Sequence, residues 1–136
     1  MLTNSEIQDI ILLNGEFEKL DIEMKIAVSD WQGYYVDSTW VPNAHDNPEK
    51  DFVILERLFK LYDQLIGLFE KFKSIQGKYP ELKRLVGDNV TKLATAIEWI
   101  KSGDFSFVDA PDKDSFHTSW MKLHQGLIAF VKTLLQ

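Results

Sequence analysis

Five acids in the first third of the chain, Asp9, Glu16, Glu23, Asp30 and Asp37, follow one another at intervals of seven residues. On a helix that interval lays them in one strip. A row of carboxylates meets lysines and arginines across an interface and sets register and orientation more than raw affinity. The bland counterpart is a solvated helix shoulder. The histidines are His45, His117 and His124. His117, Met121 and His124 share a helix face by their i, i+4, i+7 spacing, a set that ligates a metal or haem in some proteins and in most only packs. Two tryptophans and two tyrosines crowd into the short stretch WQGYYVDSTW, from Trp31 to Trp40. Trp and Tyr are favoured anchors of protein interfaces.

Catalytic signatures are missing. Di-iron carboxylate bundles place Glu-x-x-His motifs on two helices, and the nearest match here is Asp114-x-x-His117 at the mouth of the last helix. The Arg-then-His pair of HEPN ribonucleases is absent, as are the paired-Glu helices of MazG-like pyrophosphohydrolases. The chain also lacks a P-loop, GxGxxG, HExxH and GxSxG. With no Cys there is no disulfide, zinc thiolate, iron-sulfur cluster or thiol nucleophile. The expectation is therefore no catalytic residue, no cofactor and no metal.

The elements that must carry these residues follow from apolar spacing. Ile10, Leu13, Phe17, Leu20, Met24, Ala27, Trp31 and Tyr34 alternate intervals of three and four, a seam sustained over more than three heptads. With Thr3 and Glu6 as a capping box, a first helix is expected from near Ser5 to about Tyr35, with Gly15 and Gly33 as its weak points. The competing arrangement is a hairpin between KIAVSDW and YYVDSTWV. Opposite the seam lie Ile11, Gly15, Ile22, Ile26, Ser29 and Gly33, where a helix that only covers a core should be polar. Asn47 and Pro48 start a second helix that stops at Gly77. A third begins around Pro80 and ends at Gly103, after which GDFSFVDAPDKD is expected to lie extended. The fourth is capped by Asp112 or Asp114 and carries Phe116, Trp120, Leu123, Leu127, Phe130 and Leu134. Four such helices read as an all-α antiparallel four-helix bundle with a long first helix, one domain over residues 1–136. Its longest connection, Val36 to Asn47, is the first candidate for a functional loop.

A chain of 136 residues buries enough surface to fold without staples. The formal net charge is −6, and residues 1–51 hold 11 acids against 3 bases while residues 52–136 hold 10 against 12. Nucleic acid is not an expected partner, because phosphate neutralisation needs a concentrated basic face. The first residues lack a signal peptide's basic region, and no apolar run approaches the ~18 residues of a membrane span, so neither membrane nor export is expected and the cytoplasm is the default.

Together these features point to a small, acidic, cytoplasmic protein-binding module that sequesters or inhibits another protein, as immunity proteins, antitoxins and phage anti-defence proteins do. Asp9, Glu16, Glu23, Asp30, Asp37, Ile22, Ile26, Tyr35 and Trp40 are the expected contact residues. The partner is a protein with a basic surface, or a second copy paired through helix 1 with its carboxylates held apart. The alternative is a ligand- or metal-binding helical-bundle enzyme or carrier whose internal pocket is lined by Trp31, Tyr35, Tyr62, Trp99 and Trp120.

Overall fold

Thr3 caps the first helix as its sequence suggests: its hydroxyl oxygen accepts the Glu6 backbone N–H at 3.1 Å, and its side chain also meets the Glu6 carboxylate. In the computed structural model, which describes residues 2–136, helix α1 runs Asn4–Gln32. It stops short of Tyr35 because the chain turns into a hairpin, strand β1 (Gly33–Val36) paired antiparallel with β2 (Thr39–Pro42). Tyr34 opposes Val41 and Tyr35 opposes Trp40. Aromatic and β-branched residues favour that pleated arrangement over another helical turn. Gly33 is required by a close approach: a Cβ there would meet Trp40 Cζ2 and the Val41 carbonyl oxygen at 2.5 Å. The indole of Trp40 thus lies where a side chain at position 33 would stand. Neither strand coincides with KIAVSDW; both halves of the hairpin fall on YYVDSTWV, extended by Gly33 and Pro42 at its ends.

Asp37 and Ser38 form the two-residue turn, both with positive φ (48° and 70°), the type I′ pattern that matches strand twist. Asn47 then caps α2 (Pro48–Lys71) by accepting the Lys50 N–H. The helix breaks at Phe72 and resumes as the short α3 (Lys73–Lys78). Gln76 folds back on the break, its amide donating to the Phe69 carbonyl at 2.7 Å and, beside its own backbone N–H, to the Phe72 carbonyl. After α4 (Pro80–Lys101), Gly103 takes a left-handed φ of 102°, which only glycine adopts at little cost. The connector is not extended. Asp104 accepts from the Ser106 backbone N–H and hydroxyl, starting a single turn, α5 (Ser106–Asp109); these bonds hold the Asp104 carboxyl below the usual aspartate range. Ser115, rather than Asp112 or Asp114, caps α6 (Phe116–Leu135) through the Thr118 N–H.

Among the described residues the architecture is therefore all-α with six helices and one two-stranded sheet, not the antiparallel four-helix bundle with a long first helix that the heptads suggest. Apolar spacing located the long helices, but the breaks come from side-chain caps and a β turn that periodicity does not register. Helix α1 packs on α2 and α6, and α4 packs on α6 and α2. The core contains Phe17, Met24, Leu58, Leu65, Leu93, Phe116, Trp120 and Leu127. Of the predicted seam, Ile10, Leu13, Phe17, Met24, Ala27 and Trp31 are buried, Leu20 is half-buried, and Tyr34 is exposed in the hairpin. No helix among the described residues is long and apolar enough to cross a membrane.

Candidate metal centre

Asp21 occupies a place where periodicity calls for an apolar residue. It is four residues after Phe17 and three before Met24, both fully buried, and is itself only 1% exposed. A carboxylate taken this far out of water needs partners, since an unpaired buried charge is very costly. Three side chains supply them. The indole Nε1–H of Trp120 donates to Oδ1 at 3.1 Å, the Lys25 ammonium lies 2.8 Å from Oδ2 one helical turn on, and His124 Nδ1 lies 3.6 Å from Oδ1. The hydrogen bond to Asp21, reinforced by the charges of Asp21 and Glu18, holds the Lys25 ammonium above the ordinary lysine range.

The other face of the imidazole closes the group. His124 Nε2 and Glu18 Oε1 are 2.6 Å apart, so the ring stands between two carboxylates one turn apart on α1. Glu18, Asp21 and His124 each present a ligand atom, all within 4.8 Å of one another. Around them is an apolar wall: Phe17 lies 5.6 Å from the His124 ring and 5.5 Å from Trp120, and Phe116 stacks on Trp120 at 5.8 Å. Asp21 is sealed inside, while the Glu18 side chain is 41% exposed and marks the way in from solvent.

This donor set suits a divalent transition metal. Zinc binds imidazole nitrogen and carboxylate oxygen at ~2.0–2.2 Å, which puts two ligand atoms on a tetrahedral ion about 3.4 Å apart. The 3.6 Å between His124 Nδ1 and Asp21 Oδ1 is already near that value, and Glu18 is the ligand whose contact must open. With the imidazole neutral, as a metal ligand must be, two carboxylates and one lysine leave a net negative site. Three protein ligands on zinc leave a position for water or a small ligand. Trp120 would orient Asp21 from behind, as outer hydrogen-bond partners of metal ligands do.

The residues singled out from sequence are distributed differently. Glu16 pairs with Lys71 at 3.0 Å and Asp30 with Arg57 at 2.8 Å, both on α2. Glu23 borders a surface hollow of about 410 Å³ with Lys19, Arg57 and Lys60. Asp9 is half-buried, and Asp37 sits in the hairpin turn. The strip is thus partly engaged by the chain's own bases. Ile22 and Ile26 are exposed on α1, Tyr35 is 71% exposed, and Trp40 packs edge-on against Tyr35 at 5.1 Å. The aromatics of the expected internal pocket have separate neighbours: Trp31 meets His45 and Phe105, Trp99 stacks on Phe107, and Trp120 is enclosed by Phe17 and Phe116. His117 and Met121 are half-buried on α6, while His124 is drawn to α1.

Sequence reasoning passed over Glu18 and Asp21. The available signal was Asp21 itself, a charge inside an apolar stripe, with Glu18 one turn before it. His124 was singled out in the wrong company, because its partners are more than a hundred residues away in the chain. Comparison of the chain with protein-family models, with curated proteins and with solved structures gives no match.

Proposed function

We propose that this protein is a metal-binding helical domain whose centre is formed by Glu18 and Asp21 of α1 and His124 of α6. The observation that carries this is the convergence of two carboxylates and an imidazole within 4.8 Å at the edge of a buried aromatic cluster. The chemical class of the ion is a divalent transition metal of the zinc or iron type, for which nitrogen and oxygen donors in this mixture are suited. A ligand position left to water would make it a carrier of a small anionic ligand or a Lewis-acid centre. The cytoplasm remains the proposed setting, to be tested by fractionation of the host cell.

The test is titration of metal-free protein with Zn²⁺ by calorimetry and with Co²⁺ by visible absorption. One ion per chain and a cobalt spectrum of low coordination number are expected, and both should vanish in His124→Ala and in Glu18→Gln. Wild-type protein that takes up no more metal than His124→Ala would reduce the cluster to an internal hydrogen-bond network.

A second reading, capture of another protein, draws on the hairpin, where Tyr35, Val36 and Trp40 are exposed beside Asp37. Its partner would carry a basic rim around an apolar pocket, and its function would be sequestration or inhibition. Affinity capture with wild type and with a Tyr35→Ala/Trp40→Ala variant tests it; a partner retained equally by both argues against the hairpin.

A further inference from the structure

Lys25 follows Asp21 by one helical turn and Glu18 by two, so the three side chains emerge on one face of α1. Its ammonium reaches the cluster from the solvent end: the side chain is 53% exposed, whereas the Asp21 carboxylate that it meets at 2.8 Å is sealed inside. An ammonium has three N–H donors, and Asp21 is the only carboxylate with which Lys25 pairs among the described residues. One donor holds Asp21 Oδ2, and the others are left for water or a ligand at the mouth of the cluster.

The two oxygens of Asp21 have different neighbours. Oδ1 faces the Trp120 indole N–H at 3.1 Å and His124 Nδ1 at 3.6 Å, while Oδ2 faces Lys25. An ion ligated on the Oδ1 side therefore sits beside the ammonium without displacing it. The charge of the cluster then reverses. With a neutral imidazole, Glu18, Asp21 and Lys25 carry one negative charge between them, and a divalent ion turns this into one positive charge. An uncompensated charge at the edge of an apolar wall is costly, and the ligand that removes it is a monoanion.

We infer that the metal-loaded centre binds a small carboxylate-type monoanion, with one oxygen on the ion's open position and the other accepting from the Lys25 ammonium. The inference rests on the metal reading of the cluster. Ion and ammonium are held on the two oxygens of a single carboxylate, so the gap between them matches a second planar group with two oxygens on one carbon. This two-point fit selects a carboxylate or bicarbonate over a halide, which has one donor atom. The single positive charge selects either of them over a dianion such as hydrogen phosphate. Lys25 is the residue that sets this specificity, and its bond to Asp21 is what places it.

The experiment loads the full chain with Co²⁺ and titrates acetate, bicarbonate and chloride, following the visible spectrum. Acetate and bicarbonate are expected to shift the bands to saturation, and the tighter of the two identifies an organic carboxylate or bicarbonate as the ligand's source. Lys25→Met should still take up one cobalt per chain, yet bind acetate about 10- to 100-fold more weakly, the loss that follows removal of a charged hydrogen bond. Chloride affinity should fall by less, and Lys25→Arg should keep most of the acetate affinity. A lysine that served only as counter-ion to Asp21 would lower the melting temperature of metal-free Lys25→Met and leave the anion titrations unchanged. In wild type, which needs no substitution to fold, the Lys25 ammonium NMR resonance should move when acetate is added to the zinc form and stay in place when acetate is added to metal-free protein. Equal acetate affinity in wild type and Lys25→Met, or a Lys25 resonance indifferent to acetate in the zinc form, overturns the inference and leaves the metal reading standing. Wild type that takes up no cobalt overturns both.

Discussion

His45 and His124 each lie against a carboxylate, 2.8 Å from Asp51 Oδ2 and 2.6 Å from Glu18 Oε1, and beside an aromatic ring, Trp31 or Phe17. Their surroundings separate them. At His45 the polar atoms are taken up by backbone closure. The Asn43 amide donates to the Trp31 carbonyl and to Asp51 Oδ1, its backbone N–H donates to Gln32 O, and the His45 N–H donates to Asn43 Oδ1. The network ties the end of α1 to the start of α2 and holds His45 at a left-handed φ of 55°. At His124 no backbone atom takes part. Five side chains from two helices hold one another, and one of them, Glu18, reaches solvent. A histidine beside a carboxylate is thus not a site by itself; what distinguishes the second cluster is a third ligand residue and donors not already used to shape the chain.

The largest expected effect that tests this contrast is at Trp120. Trp120→Ala should cost about 3–5 kcal/mol in chemical denaturation, a large part of a small domain's stability. Trp120→Phe keeps a ring and deletes the N–H that orients Asp21, so zinc affinity measured by calorimetry should fall about 10- to 100-fold; an unchanged affinity would mean that Asp21 is not a ligand. On the other side of the comparison, Asp51→Ala should cost about 1–3 kcal/mol by leaving Asn43 and His45 without their buried acceptor, with zinc binding intact in the folded protein. Zinc lost in Asp51→Ala and kept in His124→Ala would invert the roles of the two clusters. Ser38→Gly should stabilise by about 0.5–1 kcal/mol in thermal melts, relieving a left-handed serine in the hairpin turn, and should leave both clusters untouched.

The smallest effect is a pH dependence remote from both. The hydrogen bond from Lys78 is the main cause holding the Glu6 carboxyl below its ordinary range. A lowered folded-state value means stabilisation that is complete above the ordinary glutamate range and lost as pH falls through the depressed one. Amide-exchange protection in the first turn of α1, corrected for the slower intrinsic exchange in acid, should therefore fall on acidification through that range, and Glu6→Gln should flatten the response. An acid response of that turn equally strong in Glu6→Gln would assign it to other carboxylates.

What the sequence revealed and what it withheld divide along physical lines. Thr3 and Asn47 act through bonds to their own neighbours, and Pro48 and Pro80 through a ring that fixes φ at the first helical position, so the starts of α1, α2 and α4 were legible within a residue or two. The break at Phe72 is accompanied by the Gln76 side chain folding back, which apolar spacing does not register, and the turn at Asp37–Ser38 lacks the glycine that normally announces it. The site was hidden for a different reason. A seam through Leu20 and one through Asp21 fit the helical period equally well, and only α6 arriving with Trp120 and His124 decides that Asp21 faces inward. Glu16 and Asp30 show the converse: regular in sequence, they end as ion pairs with α2.

The indole resting on Gly33 has a consequence for the border where helix gives way to strand. The carbonyls that end α1 are closed from downstream, Gln32 O by the Asn43 backbone N–H and Trp31 O by the Asn43 amide, while the Trp40 ring fills the room a side chain at position 33 would need. Any larger residue at position 33 must push the indole off the end of α1, so the border between helix and strand is keyed to one ring seated in a gap of one missing carbon.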